Sequence, residues 1–293
     1  MILVFGSINV DLVVPVPRLP RPGETVLGGD YLLLPGGKGA NQALAARRAG
    51  AVVVIAGAVG EDGFAATTLD PLRRAGIDTG LVRAVAAPTG CAAIMVSEGG
   101  ENIIAVASGA NLMARSDQVP DALLGPRIVL VAQMEVPSAE TGAMIRRVRA
   151  AGGYVLLNLA PAGALDDSLL RDIDLVVANE QEAATLGADP ARIATTLRHG
   201  LIVTRGAAGA DAYLRNGATL SVPALPVAAI DTTGAGDTFV GVLAAALAQG
   251  QPIETGLRRA SAAAGLACLA RGAQAAMPDA AAIEEAMGRL PQR

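Results

Sequence analysis

The sequence predicts an α/β protein, with a mostly parallel central sheet covered by helices on both faces and a smaller β-sheet beside it. Two observations predict the main domain. Short apolar runs rich in β-branched residues alternate with Ala-rich helical stretches, and the runs are apolar throughout, as in strands buried on both faces. A third observation predicts the small sheet, because two distant segments contain strand patterns with no helix between them.

The elements of the main domain follow this alternation in order. The predicted strands are residues 2–5, 52–56, 128–132, 154–158, 175–178 and 201–204. The predicted helices are residues 40–49, 64–75, 138–150, 191–199, 238–249 and 254–270. In such a sheet ligands bind beyond the carboxyl ends of the strands, so the loops that follow the strands are the candidate functional segments.

The small sheet is predicted from four segments that break the alternation. They are residues 12–16 and 25–34, and a hairpin of residues 91–96 and 102–107. Placed over the strand ends of the main sheet, this sheet would be a lid, and we predict that residues 12–35 and 89–107 form it. The nucleotide- and substrate-binding core would then comprise residues 1–11, 36–88 and 108–293.

Composition and charge exclude several classes of function. The formal net charge is −4 without a block of like charges, whereas a nucleic-acid-binding protein normally has a basic face. The apolar runs are far shorter than the roughly 20 residues of a membrane helix, and no signal-peptide pattern is visible. Cys91 and Cys268 are too few and too distant for a disulfide framework or a zinc site. We therefore expect a reduced, cytoplasmic protein that binds neither nucleic acid nor membrane.

The segment 231–239, Asp-Thr-Thr-Gly-Ala-Gly-Asp-Thr-Phe, carries the strongest chemical signal. Gly234 and Gly236 permit tight turns whose amides can point at one oxyanion, and the helix that follows adds its positive end. Asp237 in the first helical turn could accept a proton from a hydroxyl that attacks a phosphate there. It could equally be a helix cap, and the segment alone leaves both interpretations open.

A second glycine-rich segment, residues 35–43, also leads into a helix. It is not a P-loop, because Lys38 is followed by glycine rather than serine or threonine. Its glycines would bring backbone close to a small ligand, and Asn41 offers both a donor and an acceptor. Lys38 is also the single lysine of the chain. The alternative is a flexible turn before a helix.

Three further loops follow predicted strands. Asp11 could accept hydrogen bonds from two neighbouring sugar hydroxyls, or it could be an ordinary turn aspartate. Asn179 and Glu182, three residues apart on one helix face, offer oxygens that suit Mg²⁺ through its waters, although a solvated helix start has the same pattern. The turn at residues 204–209 could hold nucleotide phosphates through its amides and hydroxyl, a weak signal by itself.

Together and in this order, these segments resemble the ribokinase family of sugar and nucleoside kinases, over essentially the whole chain. The resemblance is carried by residues 7–11, 22–25, 36–43 and 231–239. The first three segments are closer to the ribose kinases than to fructokinases or adenosine kinases. The resemblance implies a ribokinase-like three-layer α/β/α core, a β-sheet lid, homodimers in which two lids clasp each other, and ATP-dependent phosphorylation of a sugar primary hydroxyl, with D-ribose as the leading substrate.

The resemblance also implies roles for individual residues. Asp237 would be the catalytic base, and the amides of Gly234, Ala235 and Gly236 would form the anion hole. Residues that would hold the sugar are Asn9, Asp11, Gly37, Lys38, Gly39, Ala40, Asn41, Glu135 and Asp237. Residues that would contact ATP are Asn179, Glu182, Thr204, Arg205, Gly206, Ala207, Ala208, Gly209, Gly236 and Ser261. Position 261 usually holds histidine or asparagine in the family, so a polar contact from Ser261 is less expected.

Two kinds of cation are implied as well. Asn179 and Glu182 would organise Mg²⁺ through water. A monovalent cation, usually K⁺, would lie beside the anion hole and be held mainly by backbone carbonyls of the second loop. The matching positions are Asp231, Thr233, Ala267, Ala270 and Gly272. Ribokinases commonly have a serine where this chain has Ala276, so we expect a weakened cation site.

Other functions on the same fold stay open. The acceptor could be deoxyribose, a ketose or a nucleoside, although Tyr31 is the one obvious aromatic residue of the lid for a base clamp. A phosphosugar is disfavoured because the lid strands carry only Arg18 and Arg21 as cations. A sugar sensor without catalysis is disfavoured by the intact Asp237 and its two glycines.

Overall fold

The computed structural model describes residues 1–163, 166–187 and 189–291. The strands are β1 (Ile2–Phe5), β2 (Asn9–Val16), β3 (Leu32–Gly36), β4 (Val53–Gly60), β5 (Asp78–Val85), β6 (Gly90–Ser97), β7 (Asn102–Ala107), β8 (Val129–Ala132), β9 (Tyr154–Asn158), β10 (Leu175–Asn179), β11 (Gly200–Thr204), β12 (Ala210–Leu214) and β13 (Thr219–Val222). The helices are α1 (Lys38–Arg48), α2 (Gly63–Arg74), α3 (Ser138–Ala150), α4 (Asp167–Leu170), α5 (Glu180–Ala184), α6 (Pro190–Ala194), α7 (Ala235–Ala248), α8 (Ile253–Ala267) and α9 (Ala280–Met287).

The main sheet has the strand order β13-β12-β11-β10-β9-β8-β1-β4-β5. The strands from β11 to β5 in that order are parallel to one another. Strand β12 is antiparallel to β11, and β13 is antiparallel to β12, so β13 runs in the same direction as β11. The carboxyl ends of β1, β8, β9, β10 and β11 therefore lie side by side at one edge, and the loops after them converge there.

Side chains of the central strands alternate between two hydrophobic layers. Ile2 and Val4 of β1 belong to a cluster with residues of α1, α2, α7, α8 and α9. Leu3 and Phe5 belong to a second cluster, with residues of α3, α4, α5 and α6. Each layer is a sheet face covered by helices, which gives three layers and confirms the predicted core.

Small residues fill the contact between α1 and α7. A Cβ atom at Gly241 would lie 2.5 Å from the carbonyl oxygen of Gln42 and 2.6 Å from the Cβ of Ala45. The two helix backbones therefore approach more closely than a larger side chain at position 241 would allow. This approach sets the start of α1 directly against the start of α7.

The second sheet has the order β3-β2-β6-β7 and confirms the predicted small sheet. It is mixed, because β2 and β6 run parallel while β3 and β7 are antiparallel to their neighbours. The division of the chain at residues 12–35 and 89–107 stays a prediction. Two strands of this sheet extend past those limits, since β2 begins at Asn9 and β3 ends at Gly36.

Some element predictions were wrong. The segment 25–34 was predicted to be a strand, but residues 25–31 are not in a strand and β3 covers only Leu32–Gly36. The sequence also did not predict β5, β12 and β13 at the two edges of the main sheet. The edge strands β5 and β13 are partly exposed, so they lack the continuous apolar pattern by which the central strands were found.

Candidate active site

Asp237 lies in the first turn of α7, and its carboxylate is held from α1. Oδ2 accepts a hydrogen bond from Nδ2 of Asn41 at 2.9 Å, and Oδ1 accepts one from Nε2 of Gln42 at 2.9 Å. The N-cap of α7 is Gly234, with no side-chain hydrogen bond to the helix end. Asp237 is thus held by side chains of the neighbouring helix α1 and does not cap helix α7. Hydrogen bonds to both of its oxygens fix the orientation of the carboxylate.

The amides that bind Asp237 belong to a larger buried network. Oε1 of Gln42 accepts from Nε2 of Gln133 at 2.7 Å, and Nε2 of Gln42 also donates to Oδ1 of Asn158 at 2.9 Å. Oδ1 of Asn41 accepts from Nε2 of Gln274 at 3.1 Å. Since each amide is oriented by another, the donors that face Asp237 cannot turn away without breaking a second buried hydrogen bond.

Sequence reasoning gave no role to four members of this network. They are Gln42, Gln133, Asn158 and Gln274. For three of them, the position in the sequence could have indicated a place in the site. Gln42 adjoins Asn41 in the glycine-rich segment, Gln133 follows β8, and Asn158 ends β9, so two of the three lie at the carboxyl edge of the sheet.

The glycine-rich segment before α1 is packed tightly and is not a free turn. Gly37 has φ = 89°, and a Cβ atom there would lie 2.6 Å from the backbone nitrogen of Asn9. A Cβ atom at Gly39 would lie 2.7 Å from the backbone of Gly6 and Ser7. Positive φ and close backbone contact both require glycine here, and together they fix the start of α1 against the loop after β1.

The carboxylate of Glu135 and the single lysine of the chain meet at this loop. Oε2 of Glu135, after β8, accepts from Oγ of Ser7 at 2.5 Å and from the backbone nitrogen of Lys38 at 3.3 Å. Burial lowers the pKa of Lys38, but the nearby charges of Asp237, Glu135 and Glu182 outweigh that effect and leave the pKa raised. The charges of three carboxylates therefore stabilise the ammonium form of Lys38.

Asp11 on β2 lies near two of these carboxylates. A Cβ atom at Gly36 would lie 2.3 Å from Oδ1 of Asp11, so the carboxylate lies directly against the backbone of Gly36. Burial, and then the charges of Glu135 and Asp237, raise the pKa of Asp11 to about 6. Its neighbour Asn9 is buried and already accepts a hydrogen bond through Oδ1 from Nδ2 of Asn111 at 2.6 Å.

A cavity of about 160 Å³ extends from Asp237 toward the ends of β10 and β11. The predicted site residues that line it are Lys38, Asn179, Glu182, Thr204, Gly234, Gly236 and Asp237. Gly234 has φ = 76°, in the left-handed region, and a Cβ atom there would lie 2.8 Å from the Cβ of Ala273. The turn at Gly234 thus opens the helix end toward this cavity and depends on glycine.

Several residues predicted to contact a nucleotide have other contacts. Asn179 and Glu182 form a reciprocal capping box at the start of α5, with distances of 2.8 and 2.9 Å, although both still line the cavity. Arg205 pairs with Asp211 of β12, 2.5 Å between Nη2 and Oδ2. Ser261 is buried in α8, where its hydroxyl donates to the carbonyl oxygen of Pro223 at 2.6 Å. Ala207 lies in the short 3₁₀ turn Gly206–Ala208, between Arg205 and Gly209.

The two predicted cation loops are joined by one carboxylate. Oδ1 of Asp231 accepts from the backbone nitrogen and the hydroxyl of Thr233, at 2.9 and 2.6 Å, while Oδ2 accepts from the backbone nitrogen of Gly272 at 2.9 Å. Burial raises the pKa of Asp231, but these hydrogen bonds outweigh it and hold the pKa below its usual range. Ala267 ends α8, and Ala270 lies in the loop that follows.

This site can bind a small polar ligand between charged groups. It also holds the carboxylate of Asp237 at the start of α7, where backbone amides are available. Among the described residues, no Lys or Arg nitrogen lies within 4.0 Å of the Asp237 carboxylate. Neutral amides thus orient the carboxylate without neutralising it. This is the arrangement expected of a group that accepts a proton next to a bound anion.

The described residues contain neither a membrane-spanning helix nor a cluster of metal-binding side chains. None of their helices combines the length and the apolar character needed to cross a membrane. Nor do their His, Cys, Asp and Glu side chains gather in threes around a point where a metal ion would fit.

Comparison with known proteins supplies independent information. The family described as pfkB family carbohydrate kinase matches residues 1–280. A ribokinase of Bacillus subtilis is 36% identical over 297 residues, covering 97% of this chain and 98% of the relative. The crystal structure of a Thermotoga maritima ribokinase has a TM-score of 0.91 at 29% identity, covering 98% of this chain and 99% of that one.

A second solved structure was determined with ligands. The Arabidopsis thaliana ribokinase complexed with ribose and ATP has a TM-score of 0.87 at 29% identity, and 98% of each chain is covered. The family match, the sequence identity and the fold all indicate a carbohydrate kinase, and each comparison covers nearly all of the chain. This chain belongs to the pfkB family of carbohydrate kinases and is a phosphotransferase.

Proposed function

We propose that this kinase transfers the γ-phosphoryl group of ATP to the primary hydroxyl of D-ribose, yielding D-ribose 5-phosphate. The observation that carries the proposal is the position of Asp237. Its carboxylate is fixed by Asn41 and Gln42, and it lines one cavity with Lys38, Gly234 and Gly236. The ligands of the Arabidopsis relative, ribose and ATP, support this choice of substrates.

In the proposed reaction Asp237 takes the proton from the sugar hydroxyl as that oxygen attacks the γ-phosphorus in line. The bond from the γ-phosphorus to the oxygen that bridges it to the β-phosphate breaks, and ADP leaves. The amides of Gly234, Ala235 and Gly236 receive the negative charge that develops on the phosphoryl oxygens. Lys38 supplies a positive charge near the same group. Because Asn41 and Gln42 hold both oxygens of Asp237, the carboxylate is oriented before the sugar binds.

The sugar would be held on the side of the small sheet. Asp11 and Glu135 are acceptors for its remaining hydroxyls, and Asn41 contributes a polar group at the start of α1. The backbone of the segment Gly37, Lys38, Gly39 and Ala40 would approach the ring closely. Asn9 would act through its free amide hydrogens, since its oxygen is bound to Asn111.

The nucleotide would lie beyond the ends of β10 and β11. Thr204 lines the cavity there, and the turn from Arg205 to Gly209 follows directly. The pairing of Arg205 with Asp211 and of Ser261 with Pro223 limits these two side chains to indirect roles, so backbone amides of the turn are the expected phosphate ligands.

The residues present fit the two cations in different ways. Glu182 keeps Oε1 for a water of Mg²⁺ while Oε2 holds the helix end, which suits an ion bound mostly by water and ATP phosphates. Mg²⁺ would supply charge neutralisation of the phosphates. Asp231 joins the loops that carry Thr233 and Gly272, so their carbonyls, with those of Ala267 and Ala270, could share one K⁺. Ala276 adds no hydroxyl to that set.

The test is ADP release on a panel of pentoses, hexoses and nucleosides, with and without K⁺. We expect the highest kcat/KM with D-ribose and a higher rate with K⁺. Preference for deoxyribose, a ketose or a nucleoside would overturn the substrate. If ribose raised the melting temperature but no sugar released ADP, the chain would be a sensor and the kinase proposal would fail.

We also propose a homodimer formed through the small sheet. Its strand β7 exposes apolar side chains, with Ile104 and Val106 each 52% exposed. Leu27 and Tyr31, in the segment just before β3, are exposed as well. A second copy would cover them. We expect Ile104→Lys to give a monomer in sedimentation velocity, whereas the control Val52→Lys, on an exposed apolar residue of the core, leaves the dimer. A monomeric wild type would overturn this proposal.

A further inference from the structure

A cavity of about 790 Å³ lies between α1, α2, the base of β3 and the loop 271–275. It shares no lining residue with the cavity around Asp237. Its volume is in the range of sites for small organic ligands. The family assignment and the proposed reaction use none of its arginines.

The charge of this cavity is unusual for the chain. Four lining residues are the arginines 47, 48, 74 and 271, and none of the lining residues is acidic. The protein as a whole has a net charge of −4, whereas this cavity is lined by four positively charged guanidinium groups. A concave surface of one sign concentrates ligands of the opposite sign.

Two of the arginines are fixed by backbone carbonyls. Nε of Arg47 donates to the carbonyl oxygen of Ala75 at 2.9 Å, and Nη1 of Arg48 donates to those of Gln274 and Met277 at 2.9 and 2.6 Å. These contacts orient the guanidinium groups but neutralise no charge, because a carbonyl is uncharged. Each group keeps further N–H donors for another acceptor.

The other two arginines are exposed. Within the described part of the chain, neither Arg74 nor Arg271 has a carboxylate within 4.0 Å. They extend from different elements, the end of α2 and the loop after α8, toward one cavity. Like charges that converge in this way repel unless an anion lies between them.

We infer that this cavity is a second anion site, which binds a small organic molecule with two or more phosphoryl charges. Planar guanidinium groups match phosphoryl oxygens in bidentate geometry. The fixed groups of Arg47 and Arg48 would contact one side of the anion, and the exposed groups of Arg74 and Arg271 would contact the other. Apolar lining residues such as Leu34, Leu44 and Pro71 would contact the organic part.

The test is calorimetric titration with pyrophosphate, in buffer without Mg²⁺ and at fixed ionic strength. The variant Arg74→Gln/Arg271→Gln removes the two exposed cations of the cavity. Its matched control, Arg83→Gln/Arg192→Gln, removes two exposed arginines that do not line the cavity, so both variants change the net charge equally. Melting temperatures establish that both are folded.

We expect wild type and control to bind pyrophosphate alike, and the cavity variant to bind it at least about tenfold more weakly at one site. Pyrophosphate held in the anion hole near Asp237 would persist in the cavity variant and appear as the remaining binding. The inference is overturned if wild type binds no pyrophosphate, or if the cavity variant and the wild type give the same isotherm. Neither result depends on kinase activity.

Discussion

The two sides of the candidate active site hold their carboxylates by opposite means. On the core side, Asp237 is bound by the neutral amides of Asn41 and Gln42, which belong to a buried network. On the side of the small sheet, the negative charge of Glu135 raises the pKa of Asp11, and the same charge stabilises the ammonium of Lys38. The core side therefore fixes the orientation of one carboxylate. The side of the small sheet instead brings together negatively charged acceptors, to which the hydroxyls of a bound polyol can donate hydrogen bonds.

The largest expected effect comes from removing the carboxylate on the core side. Asp237→Asn keeps the shape and a hydrogen-bonding side chain but cannot accept the sugar proton, so we expect kcat to fall by at least about 10²-fold. Initial rates of ADP release measure the effect. The melting temperature should fall by only a few degrees, because the new amide nitrogen faces one of the two donors that held the carboxylate. Turnover at the wild-type level would remove Asp237 as the base.

A smaller effect should follow when the neutral network is broken and the charge is kept. In Gln42→Leu, Asp237 loses one donor, and Gln133 and Asn158 lose buried partners. We expect kcat to fall by about tenfold and stability by about 1–3 kcal/mol. Gln251→Leu, at a partly exposed position outside the network, is the control. An unchanged kcat in Gln42→Leu would mean that the network does not orient the base.

Sugar binding on the side of the small sheet should depend on pH through Asp11. Asp11, with its pKa raised to about 6, is largely protonated at pH 5 and ionised at pH 8. Because the ionised form is the better acceptor for sugar hydroxyls, kcat/KM for ribose should rise several-fold between these values. Asp11→Asn should have a lower kcat/KM and lack this rise. The same rise in the variant would assign it to another group.

The same pKa has a consequence for stability with a definite sign. A carboxyl whose pKa is higher in the folded than in the unfolded protein lowers stability when it ionises. The contribution of Asp11 to the free energy of unfolding should therefore fall as the pH increases from about 4 through 6. Urea unfolding at a series of pH values measures it. Asp11→Asn should be the more stable protein at pH 8 and should lose that advantage at pH 4.

The smallest effect is expected at a hydroxyl that orients a carboxylate. Ser7→Ala removes the hydrogen bond to Glu135 and leaves the backbone nitrogen of Lys38 as a remaining donor. We expect KM for ribose to rise two- to fivefold, an effect of about 1 kcal/mol or less, with kcat little changed. Steady-state kinetics separate the two parameters. A fall in kcat without a change in KM would contradict a role in sugar binding.

Much of the fold was predictable because the central strands are buried on both faces. Their unbroken apolar pattern is visible in the sequence, as is the glycine pattern before α1 and α7. The edge strands β5 and β13 escaped prediction since half-exposed strands carry a weaker pattern. Residues 25–31 were wrongly given to a strand because apolar content alone does not ensure a pairing partner.

The site was predictable in its segments but not in its internal contacts. Asp237 and Asn41 stand out by motif, yet the bond between them joins residues 196 positions apart. Gln274 is still more remote from Asn41 along the chain. Such pairings depend on helix packing, which no local pattern contains. For the same reason the sequence could not reveal that Arg205 pairs with Asp211.

The close packing at Gly241 limits how this enzyme can be made more heat-resistant. Replacing helical glycines by alanine is a common route to thermostability, since alanine favours the helix by about 1 kcal/mol. At position 241 the added methyl group would meet the carbonyl oxygen of Gln42 and push α1 away from α7. The helices that would separate are those that carry Gln42 and Asp237, so a consensus-style stabilising substitution there would act directly on the proposed catalytic base.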